Sequence, residues 1–388
     1  MEHRHIWFFS TARSDYDLMA PVILALRARR RTEVGVVASG AQLSPFHGMG
    51  VRQIEEDGVE IVARVESLLA SETWAARALS FAELTSGLTR LFDQRRPDLL
   101  FVAGDREEHL SAALVANFFR VPVAHLHGGD RCLASDIDEV MRPAISKLAH
   151  LHFPATEGHR ERLIRLGEDP DRIWACGAPG LDRLRTTPDV GDEELSARLG
   201  LPVTEPFILL IQHPSPMLQE AGNEEEQMEE LMEGLLALRM PLLCSYPNAD
   251  PGNVGIRKVL DRYRRQIPRV QVYHNLPREQ FVGAYRRCAL VAGNSSSLVI
   301  ESGFLKKPAL LVGPRQNLRE CGENVIRVGF SRAEIAGAGR FALEDPGFRT
   351  RVAGGGSPYG DGHAGPRVAE ILDSVELQPS WLLKTIPY

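Results

Sequence analysis

The sequence is poor in cysteine, and its cysteines are not arranged in pairs. Five cysteines are scattered over 388 residues, an odd number, and none forms a CxxC motif. This usage argues against a disulfide framework and against a zinc site, and it is typical of reduced thiols in a cytosolic protein. We therefore predict a cytoplasmic protein without a bound metal.

Long apolar runs and an excess of positive charge are also missing. No apolar stretch approaches the roughly 20 residues that span a bilayer, and the opening MEHRHIWFFS lacks the apolar region of a signal peptide. The net charge of −6 gives no global basic field for nucleic acid or an anionic membrane. The basic run Arg27–Arg31 is a local exception that an exposed helix end explains. The sequence thus predicts neither nucleic acid nor membrane as a partner.

What is present is a globular composition with a repeated α/β pattern. Short apolar strands alternate with amphipathic helices through two successive halves, and a chain of this length predicts two domains at roughly 100–200 residues each. The polar, proline-containing Thr186–Asp192 is the best candidate linker. We predict an α/β fold of two Rossmann-like domains with a cleft between them. The first covers residues 1–185 with a terminal helix in 366–388, and the second covers residues 186–365.

Residues 97–130 read as a strand, a polar turn, a helix and a second strand. Leu99–Ala103 is a short apolar run that ends in Gly-Asp-Arg-Glu (104–107), and Val121–Leu126 ends in the sequence HLHGGD. Buried apolar runs joined by a helix are typical of a parallel βαβ unit. Ligands of open parallel sheets bind beyond the carboxyl ends of the strands. These two turns are therefore the predicted place for chemistry in the first half.

The second half has a candidate anion site. Asn294, Ser295, Ser296 and Ser297 follow a strand and precede an apolar helix, where hydroxyl groups and unpaired backbone N–H groups favour an anion. The alternative is that the serines only cap the helix. Two arginines after the next strand, Arg315 and Arg319, could add charge to a diphosphate. Glu301 could accept the hydroxyl groups of a ribose, although an ordinary exposed glutamate would look the same.

The first half offers one cation and a group of acids and imidazoles. Arg13 follows the first strand and could meet an anionic ligand. The carboxylates are Asp105, Asp130, Asp136, Asp138 and Glu139, and the imidazoles are His109, His125 and His127. Strand alternation predicts His125 and His127 on one face. Because no spacing resembles a known zinc motif, general acid–base catalysis is the better interpretation of this group.

In this order, the motifs resemble those of the hydrolysing UDP-N-acetylglucosamine 2-epimerases, which make N-acetylmannosamine and related sugars for nonulosonic acids such as sialic and legionaminic acid. The resemblance runs from about residue 5 to residue 374. HLHGGD and SPYGDG are closest to bacterial members. The matching stretches are ARSDYDLMAPV (12–22), SGAQLSP (39–45), RPDLLFVAGDRE (96–107), VPVAHLHGGD (121–130), AISKLAHLHF (144–153), QHP (212–214), GNSSSLVIE (293–301), RQNLRECGENVI (315–326) and SPYGDG (357–362).

The resemblance implies two Rossmann-like domains in a glycosyltransferase-B-type arrangement, and a reaction without a cofactor. UDP is eliminated across C1–C2 of the sugar to give a glycal, to which water adds with inversion at C2. The implied nucleotide- and substrate-binding residues are Arg13, Arg106, Arg142, Asn248, Asn294, Ser295, Ser296, Ser297, Glu301, Arg315 and Arg319. The implied catalytic candidates are Asp105, Asp130, Asp136, Asp138, His127 and His213. A homodimer or homotetramer is expected by the same resemblance.

Four departures from the family pattern concern the sugar end. Gln42 stands where the family usually has His, Asp130 replaces a Glu, the loop 131–139 is longer and lacks a glycine, and Pro143 follows Arg142 in place of His. The sequence leaves UDP-N-acetylglucosamine (UDP-GlcNAc) and a UDP-2,4-diacetamido-2,4,6-trideoxyhexose both open as the substrate. It also leaves open a glycosyltransferase of the same architecture and a sugar-nucleotide-binding homologue with altered catalysis.

Overall fold

The chain divides into two compact units. The computed structural model describes residues 4–29, 31–69, 71, 73–132, 137–215, 224–248 and 252–384. The first unit consists of Met1–Asp130, Ile137–Arg183 and Gly362–Tyr388, and the second consists of Arg131–Asp136 and Leu184–Asp361. Apart from the short stretch Arg131–Asp136, the chain enters the second unit after Arg183 and returns to the first after Asp361.

Each unit contains one six-stranded parallel sheet. The order in the first is β3-β2-β1-β4-β5-β6, and the order in the second is β12-β11-β10-β7-β8-β9. Read from the opposite edge, the second order is the same as the first, and it is the Rossmann order, which places a topological switch point between the first and fourth strands of each sheet. The strands are β1 (Arg4–Ser10), β2 (Thr32–Ser39), β3 (Glu60–Val65), β4 (Leu99–Ala103), β5 (Val123–Leu126), β6 (Leu151–Phe153), β7 (Ile208–Ile211), β8 (Leu242–Ser245), β9 (Val270–Tyr273), β10 (Leu290–Gly293), β11 (Ala309–Val312) and β12 (Val325–Val328).

Fifteen α-helices connect and cover these strands within the described part of the chain. They are α1 (Arg13–Arg27), α2 (Val51–Glu56), α3 (Trp74–Gln94), α4 (Glu107–Phe118), α5 (Asp138–Leu148), α6 (Glu157–Arg165), α7 (Gly180–Thr186), α8 (Asp192–Leu199), α9 (Glu224–Leu236), α10 (Asn253–Gln266), α11 (Arg278–Arg287), α12 (Ser297–Phe304), α13 (Arg332–Glu344), α14 (Pro346–Gly354) and α15 (Ala364–Ser374). No helix among the described residues combines the length and apolar character needed to cross a membrane.

The first sheet is covered on both faces. Successive residues of a strand point to opposite sides, so neighbouring residues of β1 belong to different cores. Ile6 and Phe8 of β1 belong to a core shared with α1, α2 and α15. Trp7 and Phe9 belong to a second core shared with α3 and α4. Strands buried on both faces read as continuous apolar runs, which is why the sequence shows them clearly.

The α15 helix returns to the first unit and is fixed there at its first turn. The carboxylate of Asp182 accepts the backbone N–H of Ala364 at 2.9 Å and that of Gly365 at 2.7 Å. A side chain at Gly365 would come within 2.7 Å of Pro21 in α1. The close approach and the buried carboxylate therefore join α15 to α7 and α1.

The predicted fold class of two Rossmann-like domains is confirmed by this topology. Three local predictions are wrong. The polar stretch Ser10–Tyr16 predicts a loop after the first strand, but α1 already begins at Arg13. The apolar stretch Ile173–Ala175 predicts a strand, but it forms only an isolated bridge to His152. The strand alternation expected for His125 and His127 stops at Leu126, because His127 takes a left-handed φ of 64°.

Candidate active site

The turn after β10 is shaped by a glycine. Gly293 has a φ of 125°, and a Cβ at this position would lie 2.1 Å from the carbonyl oxygen of Ile211 at the end of β7. Only glycine combines that φ with such an approach of two backbones. The backbone N–H of Asn294 then donates to the Ile211 carbonyl at 3.1 Å. The two strands at the topological switch point of the second sheet therefore end in direct contact.

Asn294 and His213 are joined by a reciprocal pair of hydrogen bonds. The His213 backbone N–H donates to Asn294 Oδ1, and Asn294 Nδ2 donates to the His213 carbonyl, both at 2.8 Å. The backbone N–H of Asn248 donates to His213 Nδ1 at 3.2 Å. Since Nδ1 accepts, the neutral imidazole carries its proton on Nε2. Three residues predicted from distant motifs thus meet at the carboxyl ends of β7, β8 and β10.

The two predicted arginines lie against the same turn. Arg315 Nη1 donates to the Asn294 carbonyl at 3.2 Å, and buried Gln316 donates to that oxygen at 3.1 Å. Arg319 Nη1 donates to Gln316 Oε1 at 3.1 Å. Gln316 was not predicted from the sequence, and its position between the two arginines is the signal that could have indicated it. The arrangement gathers positive charge beside the start of α12.

The serines provide donors at the N-terminus of α12. Ser295 Oγ lies 3.3 Å from the backbone nitrogen of Ser297 and 3.2 Å from its hydroxyl, whereas Ser296 makes no side-chain capping bond. Helix capping therefore accounts for the Ser295 hydroxyl but not for the Ser296 hydroxyl. A helix N-terminus with arginines beside it is suited to a diphosphate.

Glu301 lies on the second turn of the same helix. Its Oε2 is buried and has no hydrogen-bond partner within the described residues. Burial raises the pKa of Glu301 to about 7, although the positive charge of Arg278 acts to lower it. A buried carboxylate oxygen without a partner is unfavourable unless a ligand or water supplies a donor. This is the chemistry expected of a group that receives hydroxyl groups from a ligand.

We expect the stability of the ligand-free protein to fall as pH rises from about 4.5 to 7, in part because of Glu301. The folded state retains a proton that the unfolded chain has already released, so raising the pH favours unfolding through this interval. In urea denaturation, the free energy of unfolding of Glu301→Gln should exceed that of wild type at pH 8, and the difference should disappear at pH 5. The exposed Glu279→Gln serves as the control, and an equal gain at both pH values would contradict the assignment.

In the first unit, a buried arginine organises the predicted acids. Arg142, 2% exposed, donates through Nη2 to the Asp105 carboxylate and through Nη1 to the Asp130 carbonyl at 2.8 Å. Its Nη1 also lies 3.6 Å from Glu139 Oε1. Asp138 and Glu139 occupy the first turn of α5, the helix that carries Arg142. Asp136, the remaining predicted acid, lies outside the described residues.

The loop that ends in Asp130 is held by α6. Asp130 Oδ1 lies 3.3 Å from His159 Nε2, and both side chains are almost fully buried. A Cβ on Gly129, whose φ is 78°, would come within 2.3 Å of the His159 carbonyl. The Gly129 carbonyl accepts from Arg162 Nε at 2.6 Å. His159 was not predicted, because no spacing links it to Asp130.

His125 has a structural contact with the other acidic turn. Its Nε2 donates to the Gly104 carbonyl at 2.9 Å, and its Nδ1 accepts from Ser146 Oγ at 3.1 Å. Burial lowers the pKa of His125 to about 3, so the ring is neutral. His125 therefore fixes the residue before Asp105 and does not exchange protons near neutral pH.

The remaining predicted cations lie at the ends of β1 and β4. Arg13 is the exposed first residue of α1, and Arg106 pairs with Glu108 at 2.9 Å. Beneath them, Asp15 accepts from Ser10 Oγ at 2.6 Å, from the Thr11 and Ala12 backbones at 2.9 and 3.1 Å, and from His109 Nε2 at 3.2 Å. Burial alone would raise the pKa of Asp15, but the bonds from His109, Ser10 and Thr11 outweigh it and lower the pKa.

Asp15 and Gln42 link these strand ends, and neither role was predicted. Gln42 Nε2 donates to Ser10 Oγ at 3.1 Å from a fully buried position. The acid three residues into α1 is a capping signal that the sequence does carry. Within the part of the chain that the structure describes, no group of three His, Cys, Asp or Glu side chains is arranged to hold a metal ion.

Comparison with known proteins assigns the family. The family model described as UDP-N-acetylglucosamine 2-epimerase matches residues 24–373. The UDP-N,N'-diacetylbacillosamine 2-epimerase (hydrolyzing) of Legionella pneumophila is 33% identical over 385 residues, which is 99% of this chain and 100% of that protein. The GDP/UDP-N,N'-diacetylbacillosamine 2-epimerase (hydrolyzing) of Campylobacter jejuni is 27% identical and covers 84% of both chains.

Solved structures agree on the fold. The UDP-GlcNAc 2-epimerase of Neisseria meningitidis bound to UDP-GlcNAc matches with a TM-score of 0.79 at 18% identity, covering 95% of this chain and 99% of that one. The Methanocaldococcus jannaschii UDP-GlcNAc 2-epimerase in complex with UDP-GlcNAc and UDP matches with a TM-score of 0.73 at 18% identity, with the same coverage. The chain belongs to the UDP-N-acetylglucosamine 2-epimerase family.

Proposed function

We propose that this hydrolysing UDP-sugar 2-epimerase acts on a UDP-2,4-diacetamido-2,4,6-trideoxyhexose in preference to UDP-GlcNAc. The observation that carries the proposal is the similarity to the Legionella enzyme, whose name specifies that sugar, over essentially the whole of both chains. The second curated relative specifies the same sugar. The products are free C2-epimeric sugar and UDP. The enzyme uses water and needs no cofactor.

The second unit supplies the nucleotide-binding residues. The diphosphate lies at the N-terminus of α12, against Ser295, Ser296 and Ser297, with charge compensation from Arg315 and Arg319. Glu301 receives the ribose hydroxyl groups on its unpartnered Oε2. Asn294 holds the backbone of His213, and the Asn248 backbone N–H holds its ring at Nδ1, so that Nε2–H donates to the oxygen that departs with UDP. These donors stabilise the charge that develops on the leaving group.

The first unit supplies the acid–base groups. In the first step the C2–H bond breaks, its proton passes to a carboxylate, and its electron pair forms the C1=C2 bond as the C1–O bond breaks toward UDP. In the second step the oxygen of water bonds to C1 as one O–H bond of the water breaks and its proton passes to a carboxylate, and the electron pair of the C1=C2 bond takes a proton at C2 from a protonated acid on the opposite face. Asp105 is the proposed base, oriented by Arg142, and Asp130 or Asp138 is the proposed second group with His127 nearby in sequence. Arg13 and Arg106 complete the proposed substrate contacts.

The proposal extends to location and assembly. A cytoplasmic protein agrees with the five free cysteines of the described structure. A homodimer or homotetramer is proposed from the family resemblance, and light scattering on the purified protein measures it.

Turnover of two nucleotide sugars tests the substrate assignment. Purified protein is incubated with UDP-2,4-diacetamido-2,4,6-trideoxyglucose and, separately, with UDP-GlcNAc, and UDP release is followed with a coupled assay. We expect kcat/KM to be at least about tenfold higher for the diacetamido sugar, since a buried polar group left without its acetamido partner costs about 1–3 kcal/mol. Equal or reversed kcat/KM values would contradict the proposal, and release only in the presence of an acceptor would indicate a glycosyltransferase.

A further inference from the structure

A buried cluster of charges lies in the first unit, away from the predicted acids. The Glu168 carboxylate lies 2.7 Å from Lys147 Nζ, 3.0 Å from His152 Nε2 and 2.5 Å from Lys384 Nζ. The carboxylate is 1% exposed. Burial alone would raise its pKa, but His152 and the two lysines outweigh burial and lower the pKa of Glu168 to about 2. A charge so deeply buried is retained only when its partners are fixed in place.

Lys384 also caps the end of the α5 helix. Its ammonium group donates to the carbonyl oxygens of Ser146, Lys147 and Ala149 at 3.2, 2.9 and 2.5 Å. These carbonyl groups lie at the C-terminal end of α5, where a cation is stabilising, and that of Ser146 also accepts the backbone N–H of Ala149. Lys384 therefore ties the last turn of α5 to Glu168.

The short segment Pro379–Lys384 is held on the first unit by a second contact. Arg172 Nη1 donates to the Trp381 carbonyl at 3.1 Å, and the guanidinium lies 5.2 Å from the centre of the Trp381 ring. Trp381 also packs against the core that contains β1, α1 and α15. This segment lies beyond residue 373, where the match to the family model ends. The family pattern therefore assigns it no role.

The α5 helix, whose last turn binds Lys384, is also connected to the Asp105 turn by two sets of contacts. Arg142 binds the Asp105 carboxylate and the Asp130 carbonyl directly. Ser146, whose carbonyl binds Lys384, donates through its hydroxyl to His125, and His125 donates to the Gly104 carbonyl. The position of α5 along its axis therefore sets the position of Asp105.

We propose that Lys384 is a positioning residue for the epimerase reaction, which holds α5 so that Arg142 and His125 fix Asp105. The inference rests on the proposed role of Asp105. Lys384 acts on Asp105 and Asp130 indirectly, through α5. A displacement of about 1 Å in a catalytic group lowers a rate by about a hundredfold. Removal of the ammonium group should therefore lower kcat while leaving nucleotide binding, which belongs to the second unit, unchanged.

Lys384→Met tests this proposal, with Lys384→Arg as the conservative variant and the exposed Ser380→Ala as the matched control in the same segment. We expect Lys384→Met to lower kcat between about tenfold and a hundredfold at unchanged Kd for UDP, and Lys384→Arg to recover most of the loss. Ser380→Ala should match wild type. An unchanged kcat, or a loss of kcat and of UDP affinity in equal proportion, would overturn the proposal.

Hydrogen–deuterium exchange decides the question independently of turnover. In Lys384→Met, exchange should rise in peptides covering 138–148 and 99–110 and stay at the wild-type level in the second unit. Faster exchange confined to 138–148 would overturn the proposed link to Asp105. Absence of UDP-sugar turnover by the wild-type protein would contradict the proposed function, while the exchange data would still test the link between Lys384 and the Asp105 turn.

Discussion

Replacement of Asp105 by Asn should lower kcat for UDP release by between about a hundredfold and ten-thousandfold, the range of a general acid–base group. The amide keeps the size of the side chain and its place beside Arg142, but it cannot accept the C2 proton. Because the proposed nucleotide-binding residues belong to the second unit, the Kd for UDP should stay at the wild-type value. Steady-state kinetics and calorimetric titration with UDP measure the two effects separately.

Asp93→Asn is the matched control for this substitution. Asp93 is an exposed aspartate in α3, so its change of charge is the same and its surroundings carry no proposed chemistry. Its kcat should remain within about twofold of wild type, since surface substitutions of this kind change stability little. Wild-type turnover by Asp105→Asn would refute the assignment, and loss of UDP binding together with turnover would indicate a folding defect.

Gly293→Ala should destabilise the second unit by more than about 3 kcal/mol, beyond the usual range for a single substitution. The added Cβ would lie 2.1 Å from the Ile211 carbonyl oxygen, where neither backbone can move without breaking the contact between β7 and β10. A φ of 125° is also unfavourable for alanine. Urea denaturation should show the loss of stability. The affinity for UDP should fall as well, because the displaced turn carries Asn294.

Gly354→Ala provides the comparison for that result. Gly354 is the last residue of α14, and a Cβ there would have no heavy atom within 4 Å. Alanine at such a position should change stability by less than about 1 kcal/mol and can raise it by restricting the unfolded chain. Equal unfolding midpoints for the two variants would contradict the account of the β10 turn.

The strands were predictable because parallel strands buried on both faces are short apolar runs. Nine of the twelve described strands are such runs, and the half-buried β3 and β9 are still apolar enough to be predicted, while the half-buried Val325–Val328 does not stand out from its surroundings. The start of α1 was missed because polar residues dominate Ser10–Tyr16. There the Asp15 carboxylate accepts the backbone N–H groups of Thr11 and Ala12 that precede the helix.

The described motif residues lie at strand ends in each unit, because sheet topology brings strand ends together. His213, Asn248 and Asn294 are the clearest case. Partners that lie far along the chain could not be predicted. His159 beside Asp130 and Lys384 beside Glu168 are separated from their partners by 29 and 216 residues, respectively, and no local spacing reports such pairs.

The proposed reaction removes the C2 proton, releases UDP and hydrates the resulting glycal. NMR of the reaction of UDP-2,4-diacetamido-2,4,6-trideoxyglucose in D₂O follows all three events directly. We expect UDP and free C2-epimeric sugar in equal amounts, with deuterium at C2 of the sugar. A free sugar that retains protium at C2, or a C2-deuterated sugar still attached to UDP, would contradict the proposed reaction.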